Sequence, residues 1–157
     1  MPQNKKVEFA LLLVATLGIM SGITIVSSLP LISKTFANIP HIEFLSKLML
    51  TIPSIIIALF SPIAGIISDR FGRLKPLFVG IVLFVVGGSS GFYLHDFYII
   101  LIGRAILGIG VALIMTASTA LIGDYFSQEK RHQFMAKQGM VVALGGILFI
   151  SSGGLLA

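Results

Sequence analysis

Cysteine is absent from this 157-residue sequence, and charged residues are scarce, at 11%. Without cysteine, a disulfide framework and cysteine-ligated metal sites are excluded. An ordinary soluble domain carries about 25% charged residues, and a soluble fold of this size leaves roughly 30% of its chain surface exposed. A chain that is 56% hydrophobic cannot cover such a surface with polar groups. We therefore predict a membrane protein, surrounded by the lipid bilayer.

Groups that carry catalytic or metal chemistry are equally few. The three histidines, His41, His95 and His132, are isolated from one another, and their spacing does not predict a metal site. No Ser/His/Asp arrangement, phosphate-binding loop or paired carboxylate is visible in the apolar segments. The net charge of +5 comes from short basic clusters between apolar runs, which argues against a nucleic-acid-binding face. We expect no enzyme, no metal and no cofactor.

Five apolar segments are long enough to cross a bilayer, which needs about 20 helical residues. They cover residues 9–32, 48–68, 77–94, 97–122 and 138–157. Each is apolar on all sides, which is typical of spans and not of helices lying on a membrane surface. Lys5 and Lys6 precede the first segment as in a signal peptide, but its length exceeds the roughly 7–15 apolar residues of a signal. We predict an all-α polytopic fold with about five transmembrane helices.

The basic residues predict the orientation of these spans. Of the eleven Lys and Arg, Arg104 lies inside a span. Eight fall on the side of the N-terminus, namely Lys5, Lys6, Arg70, Arg73, Lys75, Lys130, Arg131 and Lys137, and two on the other, Lys34 and Lys47. Because loops rich in Lys and Arg stay in the cytoplasm, we expect a cytoplasmic N-terminus in the cell (inner) membrane.

The stretch GIISDRFGRLKP, residues 65–76, lies between the second and third predicted spans. The positive-inside rule accounts for its basic residues but not for their spacing. A pattern G-x-x-x-D-R-x-G-R-x-x-x-L is formed by Gly65, Asp69, Arg70, Gly72, Arg73 and Leu77. This pattern resembles the loop signature of the major facilitator superfamily of secondary transporters. The basic residue that often follows the second arginine is replaced here by Leu74, with Lys75 next.

Elementary geometry suggests a role for each residue of this loop. Gly65 lies one helical turn before Asp69 on the same face, where a small residue lets a neighbouring helix approach. Asp69 would then face a helix N-terminus, which attracts negative charge. Gly72 permits a tight turn. The resemblance implies that this loop packs against the second half of the transporter and holds a cytoplasmic gate shut in one state.

The segment LIGRAILGIGVA, residues 101–112, resembles the fourth-span pattern of the family, with Arg104 followed by Gly108 and Gly110. Arg104 would lie about 10 Å deep in its span. Arginines at such depth usually face a cavity or a partner, where Arg104 could act in coupling. The alternative is an arginine that snorkels to the outer interface near Tyr98. We favour the cavity.

The segment GDYFSQEKRHQF resembles the loop between the fourth and fifth spans of the family. Asp124 stands where the family often keeps an acid close to the Asp69 loop. It could pair with Arg70 or Arg73, or be a solvated residue at a helix end. In the third span, Gly87 and Gly91 form a G-x-x-x-G pair that predicts close helix packing.

The first span contains GITIVSSLP, residues 22–30, which resembles a signature of drug–proton antiporters. In that signature an acid precedes T-I-V, but Gly22 occupies the position of the acid here. The fifth span likewise lacks the Gly-Pro pair of such antiporters. Ser21, Thr24 and Ser28 share one face and could touch a substrate, or hydrogen-bond their own backbone.

The resemblance covers the whole chain, residues 1–157, but only about two fifths of a twelve-span transporter. It implies an incomplete major facilitator fold that moves a small-molecule substrate by alternating access, as multidrug or metabolite efflux coupled to protons. An alternative is a sugar or metabolite uptake symporter or uniporter. A further alternative is a truncated, non-transporting product or a membrane subunit pairing with another chain. We expect that these residues cannot transport without the missing C-terminal half.

Overall fold

The computed structural model describes residues 9–14, 16–17, 33, 35–37, 39–93 and 96–156. Within this part the chain forms four long helices and no strand. They are α1 (Ile42–Phe71), α2 (Leu74–Tyr93), α3 (Phe97–Tyr125) and α4 (Gln128–Leu156). Residues 9–14 and 16–17 are helical as well. The prediction of an all-α fold is confirmed.

Three of the helices are long and apolar enough to cross a membrane. They are α1, the segment Leu74–Gly91 of α2, and α3. In lipid, a helix satisfies its own backbone hydrogen bonds, so continuous helices are the expected form of apolar runs of this length. The described helices are thus those of a polytopic membrane protein. Each contains or overlaps one of the last four predicted spans.

Helix α3 is the centre of the described bundle. In the most apolar 18-residue stretch of α3, 56% of the residues are buried, against 28% in that of α2 and 11% in that of α1. It packs against α1 on one side and α2 on the other, whereas α1 and α2 make few contacts with each other. Large apolar side chains remain exposed on α1, α2 and α4, as expected for surfaces that face lipid or other transmembrane helices.

Helices α2 and α3 run antiparallel and meet along four glycines, Gly80, Gly87, Gly103 and Gly110, which we call the glycine seam. A Cβ on Gly110 would lie 2.8 Å from the carbonyl oxygen of Gly80. A Cβ on Gly87 would lie 2.7 Å from the carbonyl oxygen of Gly103. The two backbones therefore approach more closely than side chains would allow, as is common where small residues line transmembrane interfaces.

The G-x-x-x-G prediction in this helix holds for Gly87 only. Within the described part of the chain, nothing lies within 4 Å of a Cβ built on Gly91. The close contacts of α2 come from Gly80 and Gly87, which are two helical turns apart and lie on one face. Gly91, one turn beyond Gly87, makes no such close contact within the described residues.

Helices α1 and α3 run parallel to each other, because α2 reverses the chain between them. A Cβ on Gly108 would lie 2.9 Å from the Cβ of Ile56 and 3.0 Å from the carbonyl oxygen of Pro53. Further along the same pair, a Cβ on Gly65 would lie 4.0 Å from the Cγ2 of Thr116. Gly65 and Gly108 thus both lie at the α1–α3 contact.

Candidate functional site at the charged end of the bundle

Two short turns lie at the same end of the bundle, which we call the charged end. One joins α1 to α2 through Gly72 and Arg73, and the other joins α3 to α4 through Phe126 and Ser127. Gly72 has φ +80° and ψ 159°, a backbone conformation that residues with a Cβ rarely adopt. This glycine ends α1 and lets α2 begin two residues later.

An ion pair connects the two turns. The Nε of Arg73 lies 2.6 Å from Oδ2 of Asp124. The side chains are 32% and 53% exposed, so the pair sits at the rim of the protein and not in its core. Of the two arginines proposed as partners for Asp124, it is Arg73 that the structure brings to it. The loop motif and the end of α3 therefore form one cluster.

Apolar packing beneath the ion pair fixes the helices that carry it. Leu77, the last residue of the loop motif, is buried in a cluster with Ile114, Leu121 and Phe134. Helix α4 contributes Phe134, whose ring lies 5.2 Å from the ring of Phe126. Because these side chains come from α2, α3 and α4, the cluster holds three helices together just below the two turns.

Asp69 and Arg70 are exposed at the last turn of α1. The guanidinium of Arg70 lies 5.8 Å from the centre of the Phe71 ring. In the described residues Asp69 makes no ion pair and accepts no side-chain hydrogen bond. The helix that faces Gly65 is α3, and its C-terminal end lies here. The helix N-terminus expected opposite Asp69 stays a prediction.

Arg104 lies in the second turn of α3, far from the charged end. Its side chain is half-buried, and within the described part of the chain its Nε is buried without a hydrogen-bond partner. It precedes Gly108 by one turn, so both lie on the same side of α3, the side packed against α1. Tyr98, near which a snorkelling side chain would end, is exposed.

The remaining predicted positions are less informative. Ser21, Thr24 and Ser28 lie outside the described residues. The described acids all lie at helix ends: Glu43 and Glu129 in first turns, Asp96 as the N-cap of α3, and Asp69 and Asp124 at the charged end. The middle of each described span therefore holds no carboxylate.

One further contact at this site, made by Arg131, was not predicted from the sequence. From the first turn of α4, Nη2 of Arg131 donates a hydrogen bond to the carbonyl oxygen of Gly123, at 3.1 Å. In the sequence, Arg131 is one of several basic residues on the same side, and a backbone carbonyl carries no sequence signal. The only clue was the short distance in sequence between Arg131 and the end of the preceding span.

Known proteins resemble this chain along most of its length. The sequence profile of the Major Facilitator Superfamily matches residues 10–157. The bacillibactin exporter of Bacillus subtilis is 33% identical over 128 residues, which cover 70% of this chain and 32% of that protein. Vacuolar basic amino acid transporter 2 of Saccharomyces cerevisiae is 33% identical over 98 residues, which cover 62% of this chain and 21% of that transporter.

Multidrug resistance protein 2 of Bacillus subtilis is 31% identical over 100 residues, covering 62% of this chain and 24% of that protein. The chain thus spans a third or less of each of these relatives. The helical bundle, the signature between α1 and α2 and the profile match all agree. The chain belongs to the Major Facilitator Superfamily.

Proposed function

We propose that this chain is the N-terminal part of a secondary active transporter that moves small solutes across a membrane by alternating access. The substrate would bind between the described helices and a second set of helices, the missing C-terminal half of the transporter. The charged end would face the cytoplasm, and the membrane would be the cell (inner) membrane.

The observation that supports this proposal best is the ion pair between Arg73 and Asp124. It links the α1–α2 turn to the α3–α4 turn, and the apolar cluster beneath it packs α2, α3 and α4 together, so these helices can move as one body. Alternating access requires such rigid units, because one unit rocks against the other around a central site. Asp69 and Arg70 stay exposed beside the pair and are available to a partner helix that closes the cytoplasmic side.

Efflux of drugs or metabolites is the substrate class that we favour. The names of two relatives support it, the bacillibactin exporter and multidrug resistance protein 2. A third relative, the vacuolar basic amino acid transporter, is named for a class of metabolite and not for a drug. Coupling to protons is part of the proposal. Since the described spans hold no central carboxylate, the proton carrier would lie in the second half, with Arg104 lining the cavity.

The experiment measures transport by the full-length protein in everted membrane vesicles, with ethidium, bacillibactin and arginine as separate substrates. Asp69→Asn should lower the transport rate while leaving membrane insertion largely intact, because the topology of the spans depends mainly on Lys and Arg. Glu129→Gln is the matched control, since it removes an exposed acid from the neighbouring turn. Transport by Asp69→Asn at the wild-type rate would show that Asp69 is only a solvated charge.

Proton coupling has its own test. Each acid of the chain is neutralised in turn in the full-length protein, and transport driven by a pH gradient is measured beside substrate binding. We expect every variant to keep coupling. If any one loses coupling and still binds substrate, the proton carrier lies in this half and the assignment to the second half is wrong.

A further inference from the structure

We propose that Arg131 positions Asp124. From the first turn of α4 it holds the carbonyl of Gly123, the residue before Asp124, and so sets the orientation in which Asp124 meets Arg73. The positioning itself is a property of the fold. Its bearing on gating rests on the proposed function.

The end of α3 has a carbonyl that needs a donor. The last carbonyls of a helix lack the N–H group that would follow one turn later. At this end, the N–H of Phe126 donates to the carbonyl oxygen of Ile122, at 3.1 Å. The next carbonyl, that of Gly123, receives its hydrogen bond from Nη2 of Arg131 instead. A cation here also interacts favourably with the negative end of the helix dipole.

Arg131 starts from a fixed position. Its backbone N–H donates to the carbonyl oxygen of Ser127, at 2.9 Å, as part of the first turn of α4. One turn further on, Phe134 is buried at 1% exposure against Phe126. These contacts hold the first turn of α4 against the end of α3. The guanidinium therefore reaches the carbonyl from a rigid base.

The contact of Arg131 is with backbone and not with a carboxylate. Within the described part of the chain, the one ion pair at this end is that of Arg73 with Asp124. The Nε of Arg131 is buried there without a partner. Two arginines thus act on adjacent residues: Arg73 binds the side chain of Asp124 from the α1–α2 turn, and Arg131 binds the peptide just before it from α4.

This arrangement explains how a partly exposed ion pair can hold one geometry. Pairs between exposed charges are usually weak, because each side chain loses freedom when it is held in place. Because Arg131 already holds the backbone before Asp124, less freedom remains to be lost when the pair forms. The strength of the pair should therefore depend on Arg131, although Arg131 touches neither of its charges.

A triple-mutant cycle measures this dependence. The thermal unfolding midpoint of the full-length protein in lipid nanodiscs is determined for Arg73→Ala, Asp124→Ala and the double variant. The same set is then made with Arg131→Ala. The coupling is the part of the midpoint shift that is not additive. We expect the coupling to fall to less than about half of its original size when Arg131 is removed.

Lys130→Ala is the matched control, because it removes an exposed positive charge from the same turn of α4 without touching Gly123. It should leave the coupling unchanged. Arg131→Lys, which keeps the charge and a donor, should restore part of the coupling. Unchanged coupling in Arg131→Ala overturns the proposal. An equal loss in Lys130→Ala also overturns it, since the effect would then be one of general charge.

A second measurement covers the case in which Arg131→Ala does not fold. The 157 residues contain no cysteine, so once any cysteine elsewhere in the full-length protein is replaced, a pair introduced as Arg73→Cys and Asp124→Cys reports only on the two turns. The rate of disulfide formation is compared with Arg131 and with Arg131→Gln. A slower rate with Arg131→Gln supports the proposal, and an equal rate overturns it. Neither test measures transport, so a failure of the Arg131 proposal is distinct from a failure of the proposed function.

Discussion

Replacing Gly87 with alanine tests whether the glycine seam holds α2 against α3. A Cβ at this position would lie 2.6 Å from the backbone nitrogen of Leu107 and 2.7 Å from the carbonyl oxygen of Gly103. Both atoms belong to the backbone of α3, so no side chain can rotate away to make room. The two helices must move apart instead.

The size of that movement follows from the distances. Ordinary van der Waals contact begins at 3.4 Å, so the shortest contact must lengthen by 3.4 − 2.6 = 0.8 Å. A gap of 0.5–1 Å forfeits about a quarter to a half of the attraction between facing atoms. Overpacking of this kind typically costs about 1–3 kcal/mol. The better helix propensity of alanine offsets about 0.5–1 kcal/mol of this cost.

Gly91→Ala is the matched control on the same helix, one turn further on. In the described part of the chain its Cβ would meet nothing within 4 Å. It should therefore gain the helix propensity without the strain, and the two variants should differ by about 1–3 kcal/mol. The free energy of unfolding is measured by denaturant titration in mixed micelles. If Gly87→Ala is as stable as Gly91→Ala, the backbones of α2 and α3 do not approach as closely at Gly87 as described.

Three further substitutions test other parts of the fold by the same unfolding measurement. Gly72→Ala should cost about 1–3 kcal/mol, because φ +80° with ψ 159° is a conformation that essentially only glycine adopts; equal stability of alanine and glycine would refute the turn. Asp96→Ala should cost about 0.5–2 kcal/mol, since it loses hydrogen bonds to two N–H groups at the start of α3, whereas Asp96→Asn should keep most of the stability. Phe134→Ala should cost about 3–5 kcal/mol, and Met135→Ala, at 47% exposure, should be nearly neutral; similar losses in both would contradict the packing of α4 on α3.

Local features of the sequence were enough to predict the helical fold. A bilayer allows an apolar segment few forms other than a helix, so the length of each apolar run predicted an element directly. The turn at Gly72 was predictable for a similar reason, because a glycine between a charged helix end and a proline favours a break. The resemblance of residues 65–77 to the loop signature pointed to the family that the profile match then showed.

Contacts between helices could not be predicted in the same way. Asp124 had two candidate partners, Arg70 and Arg73, which lie three residues apart at the end of one span. The choice between them depends on how α1 and α3 are rotated about their axes. Gly87 and Gly91 both belong to the predicted packing pair, and their spacing could not show that only Gly87 meets the backbone of α3.

Composition and pattern by themselves therefore determined that the chain crosses a membrane as helices, where it turns, and which residues gather at one end. Only the tertiary structure decided that Arg73 forms the ion pair with Asp124 and that Arg131 donates a hydrogen bond to the Gly123 carbonyl. The physical reason is that hydropathy acts on each segment separately, whereas an ion pair or a carbonyl contact needs the rotation and height of two helices. Those are set by the close packing of α3 against its neighbours.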